Sequence, residues 1–159
     1  MDNQNDKSTE NKPTKKAPTK SYVISVSIQK GCYRHIQIES TYTLEDLSSF
    51  ILWAFDFVDD HAHAFFMNNR GWDDSDCYYA DFVDEDGEYR HTSNYKLGEI
   101  DLEVGDKFLY IFDFGEEWRF SCRVLKVLDE KTNDPMIVRL IGEPPTQYKE
   151  WDEEWDDEE

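Results

Sequence analysis

A chain of 159 residues with 38% hydrophobic and 15% aromatic content has room for one core plus tails, which excludes disorder throughout. Its formal charge of −19 divides into +2 over residues 1–20, −7 over 149–159 and −14 between them. That is the wrong sign for phosphate contact over most of the surface, so direct nucleic-acid binding is expected only through residues 1–20.

Residues 1–20 contain no aromatic residue and are rich in lysine. Such a segment cannot bury enough surface to offset the cost of ordering it, and it reads as a disordered leader. From Tyr22 the pattern turns to period two, with Tyr22, Ile24, Val26 and Ile28 on one face. Lys30 and Gly31 offer a turn, and Ile36 and Ile38 continue the alternation, so 22–39 reads as a β-hairpin. Thr43 then stands three residues before Asp46, the spacing of a capping box. Leu44, Leu47, Phe50, Ile51, Ala54 and Phe55 follow at three- and four-residue steps, the apolar stripe of a helix.

Residues 56–60 break that helix, and 61–69 reads as a strand running into the turn residues Asn68, Asn69 and Gly71. A short aromatic piece at 78–83 lies between acidic turns, and 96–100 reads as one turn or short helix. Strands are expected over 107–114, 118–128 and 136–141, the last after the turn at 133–135. The order predicts an α+β fold over 21–148: a mixed, mostly antiparallel sheet packed on one main helix, in a β-grasp-like roll. An acidic tail carrying Trp151 and Trp155 occupies 149–159.

Cys32, Cys77 and Cys122 stand 45 residues apart without a zinc or redox spacing, and read as reduced thiols of a cytoplasmic protein. No apolar run approaches the ~18 residues of a membrane span. The run D-F-G-E-E-W at 113–118 reads first as a hairpin corner. Gly115 supplies a positive φ, Asp113 accepts bonds from amides two residues on, and Trp118 closes the sheet end. The competing reading is a ligand or partner site, in which Asp113 and Glu116 beside the Trp118 indole suit a cation or polar ring.

His61 and His63, two apart, share a face if both lie on a strand, and Asp60 can join them as a transition-metal ligand. Two histidines are an incomplete zinc set, so no metal is expected and that set stands as the alternative. No nucleophile elbow, phosphate loop or dinucleotide fingerprint is present, and no cofactor or catalytic residue is assigned. Trp151 and Trp155, four apart, would share one side of an induced helix and dock in a partner's groove.

Four stretches carry a family resemblance: T-L-E-D-L at 43–47, D-D-H-A-H-A-F at 59–65, Y-I-F-D-F-G-E-E-W at 110–118 and I-G-E-P-P at 141–145. On these the chain resembles the plasmid pRiA4b ORF-3-like family, whose members are also labelled transposon-passenger, TnpR-like proteins. Where family members place a histidine two residues beyond the tryptophan, this chain has Phe120. The resemblance implies a domain over about 22–148 and an association with mobile elements, without a defined activity. The leading expectation is a non-enzymatic acidic module binding a basic protein partner. The alternatives are a metal-dependent or hydrolytic enzyme using His61 and His63, and an accessory factor of a mobile element contacting DNA through residues 1–20.

Overall fold

A computed structural model describes residues 19–148. The rest of the Lys-rich leader, and the acidic tail with Trp151 and Trp155, lie outside the described residues. The predicted hairpin is present as β1 (Ser21–Gln29) and β2 (Cys32–Glu39), closed where Gly31 takes a φ of +80°. Helix α1 (Leu44–Ala54) follows. Its capping box is complete: Thr43 Oγ1 accepts from the Asp46 amide at 3.1 Å and the Asp46 carboxylate accepts from the Thr43 amide at 2.9 Å.

Beyond the helix come β3 (His63–Phe66), β4 (Cys77–Tyr79), β5 (Arg90–His91), β6 (Lys107–Phe112), β7 (Trp118–Leu128) and β8 (Met136–Ile141). All eight strands join one sheet in the order β8-β2-β1-β7-β6-β3-β4-β5. Every pairing is antiparallel except β4 with β5, which makes the sheet mixed and the fold α+β. The strand expected over 61–69 is shorter than its pattern, and the segment 78–83 divides into the end of β4 and a 3-10 turn, Asp81–Val83. Residues 97–99 form the expected short turn.

The alternation of β1, β2 and β7 sends Ile24, Val26, Ile36, Ile38, Phe120 and Val124 into one buried cluster, which also takes Leu44, Leu47, Ile51 and Leu52 from α1. Aromatic rings dominate it: Phe55 meets Phe120 edge-on at 5.3 Å and Phe65 lies 4.8 Å from Tyr110. Truncating one of these rings to alanine typically costs about 3–5 kcal/mol. The fully buried Tyr110 satisfies its hydroxyl with Ser48 Oγ at 2.5 Å, and burial raises its phenol well above the ordinary range.

The far face of the sheet is divided. Over β3, β4 and β6 it carries a second cluster of Ala64, Phe66, Cys77, Tyr79, Leu109 and Ile111, against which Phe114 packs, with Trp72 edge-on to Phe66 and Phe114. Over β1, β2 and the middle of β7 the same face shows half-buried and exposed polar side chains, so among the described residues that half has one covered side. Arg34, only 2% exposed, reaches from β2 to the end of α1: its Nε donates to the Ala54 carbonyl at 3.0 Å and its guanidinium lies over the Phe55 ring at 4.7 Å. Nη1 of the same side chain donates to the Ile141 and Gly142 carbonyls at 2.9 and 3.1 Å, fastening the end of β8. Gly142 has a φ of +83°, and a Cβ there would collide with the Gly31 carbonyl.

Candidate functional site

The corner between β6 and β7 is built by Asp113. Its amide donates to the Ala62 carbonyl at 2.8 Å, and its Oδ1 accepts from the Gly115 and Glu116 amides at 3.2 Å each. The expected Asp turn is therefore present. The expected role of Gly115 is corrected: the left-handed residues are Asp113 (φ 66°) and Glu117 (φ 56°), and Gly115 is not among them. Aspartate tolerates that conformation through local hydrogen bonds, so the turn needs no glycine for it. A Cβ on Gly115 would make only an ordinary 3.6 Å contact with Asp113 Oδ1.

Trp118 does not face the carboxylates. It packs edge-on against Phe57 with ring centroids 5.0 Å apart, and its indole nitrogen is buried without a hydrogen-bond partner in the described structure. Glu116 is exposed on the corner. Asp113 instead turns its second oxygen toward His61, with Oδ2 at 3.7 Å from Nδ1. His61 Nδ1 lies 2.7 Å from Asp60 Oδ1, and Tyr148 donates to Asp60 Oδ2 at 2.5 Å. Gln147 holds this last segment in place by pairing with both backbone groups of Val58, at 2.7 and 3.1 Å.

Asp60, His61, Asp113 and Tyr148 thus converge from three parts of the chain. A carboxylate can only accept, so the Asp60 contact places the proton of neutral His61 on Nδ1 and leaves Nε2 as the basic lone pair. The bond from Tyr148 is the main cause holding the Asp60 carboxyl below its usual range, and the same bond pushes the Tyr148 phenol up to about 12. The His61 ring stands edge-on to Phe112 at 6.0 Å, which gives it an apolar wall on one side.

His63 belongs to another environment. It is buried on β3, its Nε2 lies 2.9 Å from Thr92 Oγ1, and burial lowers it to about 4, so it is neutral at physiological pH. His61 precedes the strand and is exposed, so the two histidines do not present one shared face. Among the described residues no three His, Cys, Asp or Glu side chains are grouped to hold a metal ion. Cys32, Cys77 and Cys122 are free and buried; burial pushes Cys77 up to about 11 and Cys122 further, so both are thiols at neutral pH.

A second polar region spans 72–91, which periodicity left unresolved. Its acids are anchored rather than loose. Asp74 accepts from the Tyr79 and Tyr89 hydroxyls at 2.8 and 3.1 Å, Asp84 accepts from the Glu88 and Tyr89 amides at 3.0 and 2.7 Å, and Arg90 pairs with Asp76. These bonds hold a loop on which Phe82, 65% exposed, and Glu85, Asp86 and Glu88 all reach solvent. The sequence signal was there in the alternation of acids with Tyr and Phe; the missing information was that the acids bond their own loop.

Comparison with known proteins adds a family and a fold neighbour. A family model described as plasmid pRiA4b ORF-3-like protein matches residues 20–147. The crystal structure of a protein of unknown function, MM3350 from Methanosarcina mazei Go1, is similar at 30% identity and a TM-score of 0.64, over 77% of this chain and 70% of that one. A comparison with curated proteins returns no match.

Proposed function

The chain belongs to the plasmid pRiA4b ORF-3-like family, and from that premise we propose that it is a non-enzymatic interaction module that engages a basic protein partner. The observation that carries the reading is the hydrogen-bonded loop after β4, on which Phe82, Glu85, Asp86 and Glu88 are all exposed. Carboxylates attract Lys and Arg side chains, and an aromatic face adds cation–π attraction of ~0.5–1 kcal/mol at an exposed position. In this reading the sheet and helix act as a β-grasp-like roll, a rigid frame that presents the loop. The tail with Trp151 and Trp155 supplies a second contact to the same partner, and the setting is the cytoplasm. Binding of a labelled Arg- and Lys-rich peptide tests it: the combined change Phe82→Ser, Glu85→Gln, Asp86→Asn should weaken binding at least tenfold. Affinity should also fall on moving from 50 to 300 mM salt. Unchanged affinity in the variant would remove the loop from the proposal.

A second reading rests on His61, whose Nδ1 is held by Asp60 while Nε2 is left as a base. A His oriented by a carboxylate is the arrangement a general base requires. Turnover of activated ester or phosphate substrates that disappears in His61→Gln would favour this reading, and stoichiometric metal lost in that variant would extend it to a metal-dependent enzyme. A role in mobile elements, with DNA held by residues 1–20, predicts DNA binding that is lost when those residues are deleted.

A further inference from the structure

The open half of the sheet carries charge of the opposite sign to the domain. Residues directly opposite each other on antiparallel strands point to the same face, so the register places side chains in rows. One row reads across five strands: Lys107 on β6 opposes Arg123 on β7, Arg123 opposes Ser25 on β1, Ser25 opposes His35 on β2, and His35 opposes Arg139 on β8. At about 4.8 Å per strand the row is roughly 19 Å long. The neighbouring row brings Tyr33 opposite Ser27, and Ser27 opposite Ser121. Lys126, opposite Val23, adds a fourth cation on the other side.

These positions are solvent-accessible. Lys107, Arg123, Lys126 and Arg139 are exposed, while Ser25, Ser27, Tyr33 and His35 are half-buried, as expected of a sheet face over which the described residues place no second layer. Tyr33 and His35 stand two apart on one strand with ring centroids 5.3 Å apart and planes 32° apart. Arg139 donates to the Tyr33 hydroxyl at 3.4 Å, holding the guanidinium beside the ring. Burial and the nearby Arg139 lower the His35 pKa, so its ring is neutral at physiological pH and acts as a plate rather than a charge.

We propose that this face, with Lys107, Arg123, Lys126 and Arg139 flanking the Tyr33–His35 pair, is a binding platform for single-stranded nucleic acid. A single strand offers both phosphates and planar bases, and sequence-tolerant single-strand binders combine cations along the backbone with aromatic rings under the bases. An acidic peptide would use the cations alone and leave the ring pair idle. A duplex fits poorly, because a major groove about 12 Å wide admits a helix or a two-stranded ribbon, not a five-stranded face. The −14 of the domain does not forbid the contact: the Debye length is about 8 Å at physiological salt, so the charges nearest the strand decide. The serines between the cations are short, which lets a backbone approach the sheet floor.

The test uses the full chain and fluorescein-labelled 15-nucleotide oligo(dT) and oligo(U), with poly-glutamate as competitor, read by anisotropy between 50 and 200 mM salt. Four phosphate contacts at about 0.7 each predict a slope of log K against log salt near −3. The double change Arg123→Glu, Arg139→Glu should weaken binding more than tenfold and flatten the slope, and Tyr33→Ala should weaken it at least fivefold. Lys131→Glu, an exposed control off the row, should leave it unchanged, with all variants checked for unaltered thermal unfolding. Three results would overturn the proposal: no oligonucleotide binding at 50 mM salt, full affinity in the double variant, which would assign binding to the Lys-rich leader, or displacement of the oligonucleotide by equal charge concentrations of poly-glutamate, which would assign the face to an acidic peptide.

Discussion

Replacing Arg34 by methionine should destabilise the domain by about 1–5 kcal/mol. Arg34 is buried, and among the described residues it forms no ion pair; its Nε instead donates to the carbonyl of Ala54 at the helix end. The last turn of α1 has no basic residue of its own, so this guanidinium from β2 serves as the cation at the negative end of the helix. A hydrogen bond from a charged donor is worth ~1.5–3 kcal/mol, stacking over Phe55 adds ~0.5–2 and the dipole ~0.3–1. The Ile141 and Gly142 carbonyls lie on exposed residues and exchange the guanidinium for water, so they add little. Methionine returns roughly 1 kcal/mol by filling the space with apolar volume, which leaves the stated net. Urea unfolding followed by tryptophan fluorescence should show a lower midpoint with an unchanged slope, and Arg34→Lys should recover about half the loss. A variant within 0.5 kcal/mol of the parent, or more stable than it, would show that the cost of desolvating the cation cancels its bonds and would refute the capping role.

Other consequences are open to direct measurement. His63 is lowered to about 4 in the fold against about 6.5 unfolded, so its stabilising effect is complete above pH 6.5 and is lost as pH falls toward 4. Comparing unfolding free energies at pH 7 and 5, His63→Gln should shrink the difference by about 2 kcal/mol; an undiminished difference would mean other groups set it. Thr43→Ala removes one half of the capping box and should cost about 1 kcal/mol in thermal or urea unfolding. Tyr148→Phe deletes the bond that holds the Asp60 carboxyl down, so carboxyl-carbon NMR titration should find Asp60 at a higher pKa in the variant.

What was legible in the sequence was whatever periodicity or a local motif encodes. Trp118–Leu128 and Met136–Ile141 match their patterns to the residue, and the Thr43–Asp46 box marks the helix start. The pattern over 61–69 extends past both ends of the strand, whose register with Lys107–Phe112 covers only His63 to Phe66. His61 lies before the strand's first residue and so off the face of His63. Glycine is the usual choice for a left-handed residue at a corner, whereas here Asp113 and Glu117 take that conformation. The remaining misses are contacts between residues far apart in sequence. Tyr148 meets Asp60 across 88 residues, Arg34 meets Gly142 across 108, and the cation row needs five strands in register before it exists.

The Asp60–His61 pair borrows Tyr148 from a segment that follows the outermost strand and is tied down by the Gln147 amide on Val58. If those two bonds open, the phenol leaves with the segment, and Asp60, His61 and Asp113 remain without it. Completion of the cluster therefore reports whether the chain has closed its last stretch. A molecule caught before that closure keeps the histidine between its two carboxylates and lacks only the phenol.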